Sequence, residues 1–318
     1  MKITSTLCLA GLALVGTSAA YAQSDIEQQR QIIGHLESSV ALAIIATSML
    51  TAWLMNYSAP KVRVIGTLLA ATGCFAIAGW FLFFVLGTGF LENPKPNQAI
   101  LDSAKPSLLW MWTLGALGAG AALVAAAFYQ RKNNKTLELK AANEPERYGR
   151  MSRVLHWTIA ILFITLIPMG IFNSIIPEGT PYRRAYNAVH ETIGFIVFAL
   201  VLVRLTWNNI STRPALDPTL KPWEKILAHR VHITLYVMMI AFPITGYVMT
   251  SLHGFPTYLF GLQLEPLWAE SDTYRFWGLF HKYILPYLLY LVLGAHILGA
   301  LKHRFIDKHN DAFKRMVS

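Results

Sequence analysis

The sequence predicts an all-α integral membrane protein in which a four-helix bundle follows about three additional transmembrane helices. Three observations predict it. Hydrophobic residues make up 54% of the chain and charged residues only 14%, a balance far from that of a soluble domain. The apolar residues are gathered into runs longer than the roughly 18 residues that mark a spanning helix. Four histidines, His156, His190, His281 and His296, stand near the ends of such runs in the C-terminal half, where an ionisable side chain is costly unless it has a task.

The elements follow in order. Residues 1–22, MKITSTLCLAGLALVGTSAAYA, combine Lys2, a short apolar core and the small-x-small ending Ala20-Tyr21-Ala22, the pattern of a signal peptide cleaved after Ala22. An uncleaved signal anchor is the rival, and the shortness of the apolar stretch weighs against it. Seven spans are then expected at about 38–56, 64–90, 107–128, 154–174, 187–207, 229–250 and 281–301. If the mature N-terminus is exported, Arg30, Lys95, Lys105, Arg183, Arg184, Arg275 and Lys282 fall outside and the other 19 mature Lys and Arg residues fall inside. That positive-inside distribution puts the mature N-terminus in the periplasm and the C-terminus in the cytoplasm. It also accounts for the net charge of +10 through membrane lipid headgroups, so no nucleic-acid partner is expected.

Cys8 leaves with the signal and Cys74 is alone in an apolar segment, which excludes an intramolecular disulfide or a cysteine-ligated cluster from the mature chain. No GxSxG, HExxH or paired intramembrane carboxylate occurs, so hydrolytic chemistry finds no support.

The organisation reads as an N-terminal membrane module of about three spans over 23–130, a polar cytoplasmic linker over 131–150 and a four-helix domain over 151–318. His35, just outside the first span, reads as an interfacial residue. The segments ATGCFAIAG and LGALGAGAALVAAA have small residues spaced for close helix approach, or for plain contact with lipid.

In the second module the histidines repeat a geometric logic. His156 opens the fourth span at the cytoplasmic face and His190 opens the fifth at the opposite face. His281 and His296 lie fifteen residues apart on the seventh span, about 22 Å along the axis and about 60° around it. Depth therefore pairs His190 with His281 and His156 with His296. Neutral imidazoles on both axial positions of an iron porphyrin give a closed haem suited to single-electron transfer. The fold class thus becomes a four-helix di-haem bundle preceded by about three transmembrane helices.

Glycines offer a second line, because a flat porphyrin needs places where no side chain projects. Gly194 is four residues after His190, Gly299 three after His296, and Gly170 fourteen after His156, at the depth of the outer haem; Gly246 stands in the same relation to His232. Ordinary tight packing is the stronger explanation of any one of them, and it weakens only when they are taken together with the four histidines. His229 and His232 are near enough to the inner level to replace His156 or His296 as ligand, to bond a haem propionate or quinone carbonyl, or simply to meet headgroups. Lys302 and His303 are further candidates for quinone or propionate contact, and His303 for proton relay. His253 and His309 read as loop residues.

Residues 148–316 resemble the bacterial cytochrome b561 family, four-helix di-haem cytochromes b related to the cytochrome subunits of formate dehydrogenases and nickel-iron hydrogenases. The resemblance is carried by YGRMSRVLHW, NAVHETIGFIVFALVLVRL, LAHRVHITLYVMMIAFPITGYVM, FPTYLFGLQLEP and FHKYILPYLLYLVLGAHILGALKH. It implies that His156, His190, His281 and His296 are axial ligands of two haem b groups. It implies an inner-membrane protein passing electrons between the periplasmic side and ubiquinone, with superoxide as the donor in some members.

A cluster of Arg183, Arg184, Arg275 and Lys282 would attract such an anion, unless it meets headgroups or balances Glu178, Glu265, Glu270 and Asp272. The module before Tyr148 departs from the family pattern and leaves the periplasmic redox partner open. One alternative is a membrane-anchor cytochrome subunit of a larger periplasmic oxidoreductase such as a formate dehydrogenase or hydrogenase. The other is a haem-free proton-coupled transporter or sensor, against which no broken-helix pair recurs in two halves of the chain.

Overall fold

The computed structural model describes residues 26–86, 99–133, 136, 138–175, 183–215, 220–307 and 315–316. The expected signal peptide, His309 and the side chain of His35 lie outside the described residues. Helices α1 (Ile26–Met55), α2 (Pro60–Leu86), α3 (Ala99–Asn133), α4 (Arg150–Ile175), α5 (Arg183–Ile210) and α6 (Pro222–Leu252) are continuous. The seventh crossing is built from α7 (Tyr274–Leu279), a π-helical turn (Phe280–Ile284) and α8 (Leu285–Phe305). Each of the seven is long and apolar enough to cross a membrane; every helix starts before its expected span and the third to seventh also end beyond theirs, because polar ends continue the same hydrogen-bond ladder past the apolar window.

Two compact units form, one of Met1–Glu138 with Pro168–Asn187 and the other of Leu139–Ile167 with Ala188–Ser318. In the first, α2 packs along α3 and against α1. A Cβ on Gly66 would fall 2.5 Å from the Met55 backbone nitrogen, so glycine alone admits that crossing. Arg63 donates to the carbonyls of Tyr57 (3.1 Å) and Ser58 (2.7 Å), placing a cation where the end of α1 leaves oxygens unpaired. Thr67 donates to Gln130 at 3.0 Å, a polar tie between α2 and α3.

The second unit's core is laid down by helical spacing. Leu155, Ile159 and Leu162 of α4 and Val189, Ile193, Val197 and Val201 of α5 are buried, each series advancing three or four residues at a time. Leu202, Val203, Val237, Leu291 and Leu298 stay exposed, as lipid-facing residues do. The last crossing breaks its α-period because Pro286 has no N–H to donate and its ring would strike the carbonyl one turn back. The ladder widens instead, and Leu285 N–H donates to Phe280 O, five residues earlier.

Between α6 and α7 lies a feature the all-α expectation omits. Strands β1 (Thr257–Leu259) and β2 (Leu262–Leu264) pair antiparallel with Leu259 opposite Leu262. Phe260 and Gly261 between them have φ of 50° and 78°, which gives a turn twisted to match its strands.

The expected linker over 131–150 is not uniform: α3 runs to Asn133, while Lys140 O and Ala141 O accept the N–H groups of Arg150 (2.9 Å) and Met151 (3.2 Å), pairing donors that the start of α4 would otherwise leave unmet. Asn143 extends the tie by accepting from Ser152 Oγ at 2.7 Å and donating to Ser211 Oγ at 3.1 Å.

Candidate functional site

The second unit brings four histidines together in two pairs at opposite ends. At the hairpin end, His190 on α5 and His281 in the π turn have ring centroids 6.3 Å apart and planes at 88°. At the other end, His156 on α4 and His296 on α8 have centroids 6.3 Å apart and planes at 81°. A metal–imidazole bond is about 2 Å and the ring centre lies roughly 1.2 Å beyond the nitrogen, so two imidazoles facing one metal have centroids a little over 6 Å apart. Both pairs have that spacing, and the donor set, two neutral imidazoles, suits haem iron.

The surroundings at the hairpin end orient the rings. His281 Nδ1 lies 3.0 Å from Phe242 O and 3.3 Å from Thr245 Oγ. A carbonyl only accepts, so Nδ1 carries the proton and the Nε2 lone pair is left for a metal. A Cβ on Gly246 would come within 2.9 Å of His281 Cε1, so the missing side chain is what admits the ring. His190 Nδ1 is buried with no hydrogen-bond partner among the described residues. The two residues after His190 fix the hairpin above it: Glu191 Oε2 accepts Tyr258 N–H at 2.9 Å, and Thr192 Oγ accepts Phe260 N–H and donates to Tyr258 O, both at 3.2 Å.

At the opposite end, Arg204 of α5 places a guanidinium nitrogen 3.0 Å from His156 Nδ1 and lies 5.7 Å from the Tyr236 ring centroid. Tyr236 Oη accepts from Asn208 at 2.8 Å. His232 is exposed, yet its ring lies 5.2 Å from that of His296, whereas His229 is simply exposed.

Lys302 is engaged with Glu224 (2.8 Å) and Asp307 (2.5 Å), and His303 with Asp307 (2.8 Å). The Lys302 ammonium hydrogen-bonded to Asp307 holds that carboxyl below its ordinary range. Ligand atoms of Glu224, His303 and Asp307 lie within 4.8 Å of one another, but Lys302 already supplies the cation between the two carboxylates. No Cβ on Gly194 or Gly299 would meet another atom within 4 Å, while Gly170 lies on α4 among residues of the first unit. Arg275 pairs with Asp272 at 3.4 Å on the exposed side of α7.

Reading the sequence for histidine missed three kinds of contributor. Arg204 had a signal, a charge inside the fifth apolar span and fourteen residues beyond His190. Phe242 contributes through its backbone carbonyl, which no residue type announces. Glu191 and Thr192 act on a hairpin whose presence the reading did not anticipate.

Relatives share this half of the chain. Cytochrome b561 homolog 2 of Escherichia coli is 30% identical over 180 residues, spanning 55% of this chain and 93% of that one. Probable superoxide oxidase CybB of Yersinia pestis is 25% identical over 175 residues, 54% of this chain and 96% of its own. Cytochrome b561 homolog 1 of Escherichia coli is 24% identical over 172 residues, 54% and 97%. Residues 147–318 match the family described as prokaryotic cytochrome b561, the same residues that fold into the histidine-bearing helices, and the chain belongs to that family.

Proposed function

We propose that the second unit binds two haem b groups, one between His190 and His281 and one between His156 and His296, and relays single electrons between a periplasmic donor and ubiquinone in the membrane. The observation that carries the reading is the repeated 6.3 Å separation of the two histidine pairs at opposite ends of one unit. When bound, each haem supplies a reversible one-electron iron couple closed to outside ligands. His281 is held for this by its Nδ1–H bond to Phe242 O and by Gly246. The β-hairpin is tied to α5 beside His190 by Glu191 and Thr192.

The distribution of Lys and Arg residues supports an orientation with the hairpin end periplasmic and the C-terminus cytoplasmic. Superoxide is then a donor of suitable charge, drawn by Arg275 and Lys282 of the second unit. Quinone reduction consumes protons, and the ionic group of Glu224, Lys302, His303 and Asp307 at the cytoplasmic end can hold and exchange them. Haem quantified per chain, with a dithionite-reduced minus oxidised spectrum of the parent, His190→Ala and His296→Ala, tests the reading. Two haems in the parent and loss of one in each variant are expected; a colourless parent overturns it.

A further inference from the structure

We propose that Arg204 is the ion-pair partner of a propionate carboxylate on the haem held by His156 and His296; the inference rests on the proposed haem sites. Arg204 lies fourteen residues after His190 on α5, about 21 Å along the helix and about 40° around it. One face of α5 therefore presents an imidazole at the hairpin end and a guanidinium at the other. Guanidinium is a permanent cation, and a cation within a spanning segment is costly without an anion or a set of acceptors.

Among the described residues, the groups that face Arg204 do not include an anion. They are the His156 ring at 3.0 Å and Tyr236, whose hydroxyl hydrogen-bonds the guanidinium and whose ring centroid lies 5.7 Å away, with His232, His296 and Tyr148 near enough to feel its charge. Its bond to His156 has a specific chemical meaning. Arginine only donates, so Nδ1 is the acceptor and the ring proton is on Nε2.

That tautomer cannot bind iron through Nε2, which needs the lone pair there. A neutral His156 that ligates through Nε2 carries its proton on Nδ1, and two donors cannot share a hydrogen bond. Ligation through Nδ1 would displace the guanidinium as well. Whichever nitrogen meets the metal, Arg204 keeps only the neutral Tyr236 hydroxyl and needs a further acceptor, best an anion, within a side chain's reach of this ring. A haem b brings two carboxylates to that position, and a planar fork matches a carboxylate with two parallel hydrogen bonds. The pairing also meets the carboxylate's own need for a cation at this depth.

The test uses the full-length protein with its haems, comparing the parent with Arg204→Gln and Arg204→Lys. Redox titration followed in the visible spectrum, and the propionate bending modes in resonance Raman, are the readouts. In Arg204→Gln the midpoint of the haem lost in His296→Ala is expected to shift downward, because a carboxylate left unneutralised favours ferric iron, and its propionate mode is expected to shift. The midpoint of the other haem stays in place. Arg204→Lys should recover most of the midpoint and only part of the Raman signature, since a point charge replaces the fork.

Unchanged midpoints and propionate modes in Arg204→Gln overturn the proposal. Should Arg204→Gln lose the haem or fail to fold, Arg204→Lys decides: a shifted propionate mode supports the pair and an unchanged one overturns it. A parent lacking haem at this level would instead overturn the reading on which the proposal rests.

Discussion

A single hydrogen atom stands where a methyl group would strike the His281 ring. Because the Gly246 Cβ position is 2.9 Å from Cε1 and the ring is held from behind by Phe242 O, Gly246→Ala must push the imidazole or bend α6. Overpacking of this kind costs about 1–3 kcal/mol. The expected outcome is selective loss or broadening of one haem's reduced absorption band while the other is kept, checked by spectra of the purified variant. The near-perpendicular ring planes, 88° and 81°, predict strongly anisotropic low-spin signals for both ferric haems in electron paramagnetic resonance; two rhombic signals would contradict it. At this scale the four histidines were legible because an imidazole in an apolar run is conspicuous. Phe242 was not, because every residue carries a carbonyl and only the fold decides which one meets Nδ1.

At the scale of elements, the hairpin depends on two side chains that follow His190 directly. A hydrogen bond to a charged carboxylate contributes about 1.5–3 kcal/mol, so Glu191→Ala should raise amide hydrogen exchange at Tyr258 and Phe260 while leaving the middle of α5 protected. The join of α6 to the end of α8 should respond to acid. Asp307 titrates below its unfolded value, so its contribution is fully present above the unfolded pKa of about 3.9 and is lost as pH falls through the lower folded value. Exchange at the last turn of α8 should therefore rise in acid in the parent, and Asp307→Asn should remove that dependence. The seven crossings were legible from apolar length alone. The hairpin was not: three-residue strands are too short to show a period, and Phe260 gives no hint of a positive φ.

At the scale of the whole molecule, the sequence half that matches known relatives is also the half with assignable chemistry. The line between the two compact units passes through α4 at Pro168, inside one unbroken helix, where no shift in composition marks it. Polarity marks the linker near 131–150 instead, since charge is what distinguishes loop from span. The last crossing carries one member of each histidine pair, with the widened turn around the first of them. That turn acts as a phase shifter one codon long. The π turn takes up one residue of rotation, so restoring the α-period at full length, as Pro286→Leu would favour, would swing His281 by about 100° relative to His296, whereas deleting one residue would leave the two in phase. That one substitution should thus extinguish the haem at one end and spare the other, leaving a one-haem protein whose remaining midpoint can be titrated without overlap.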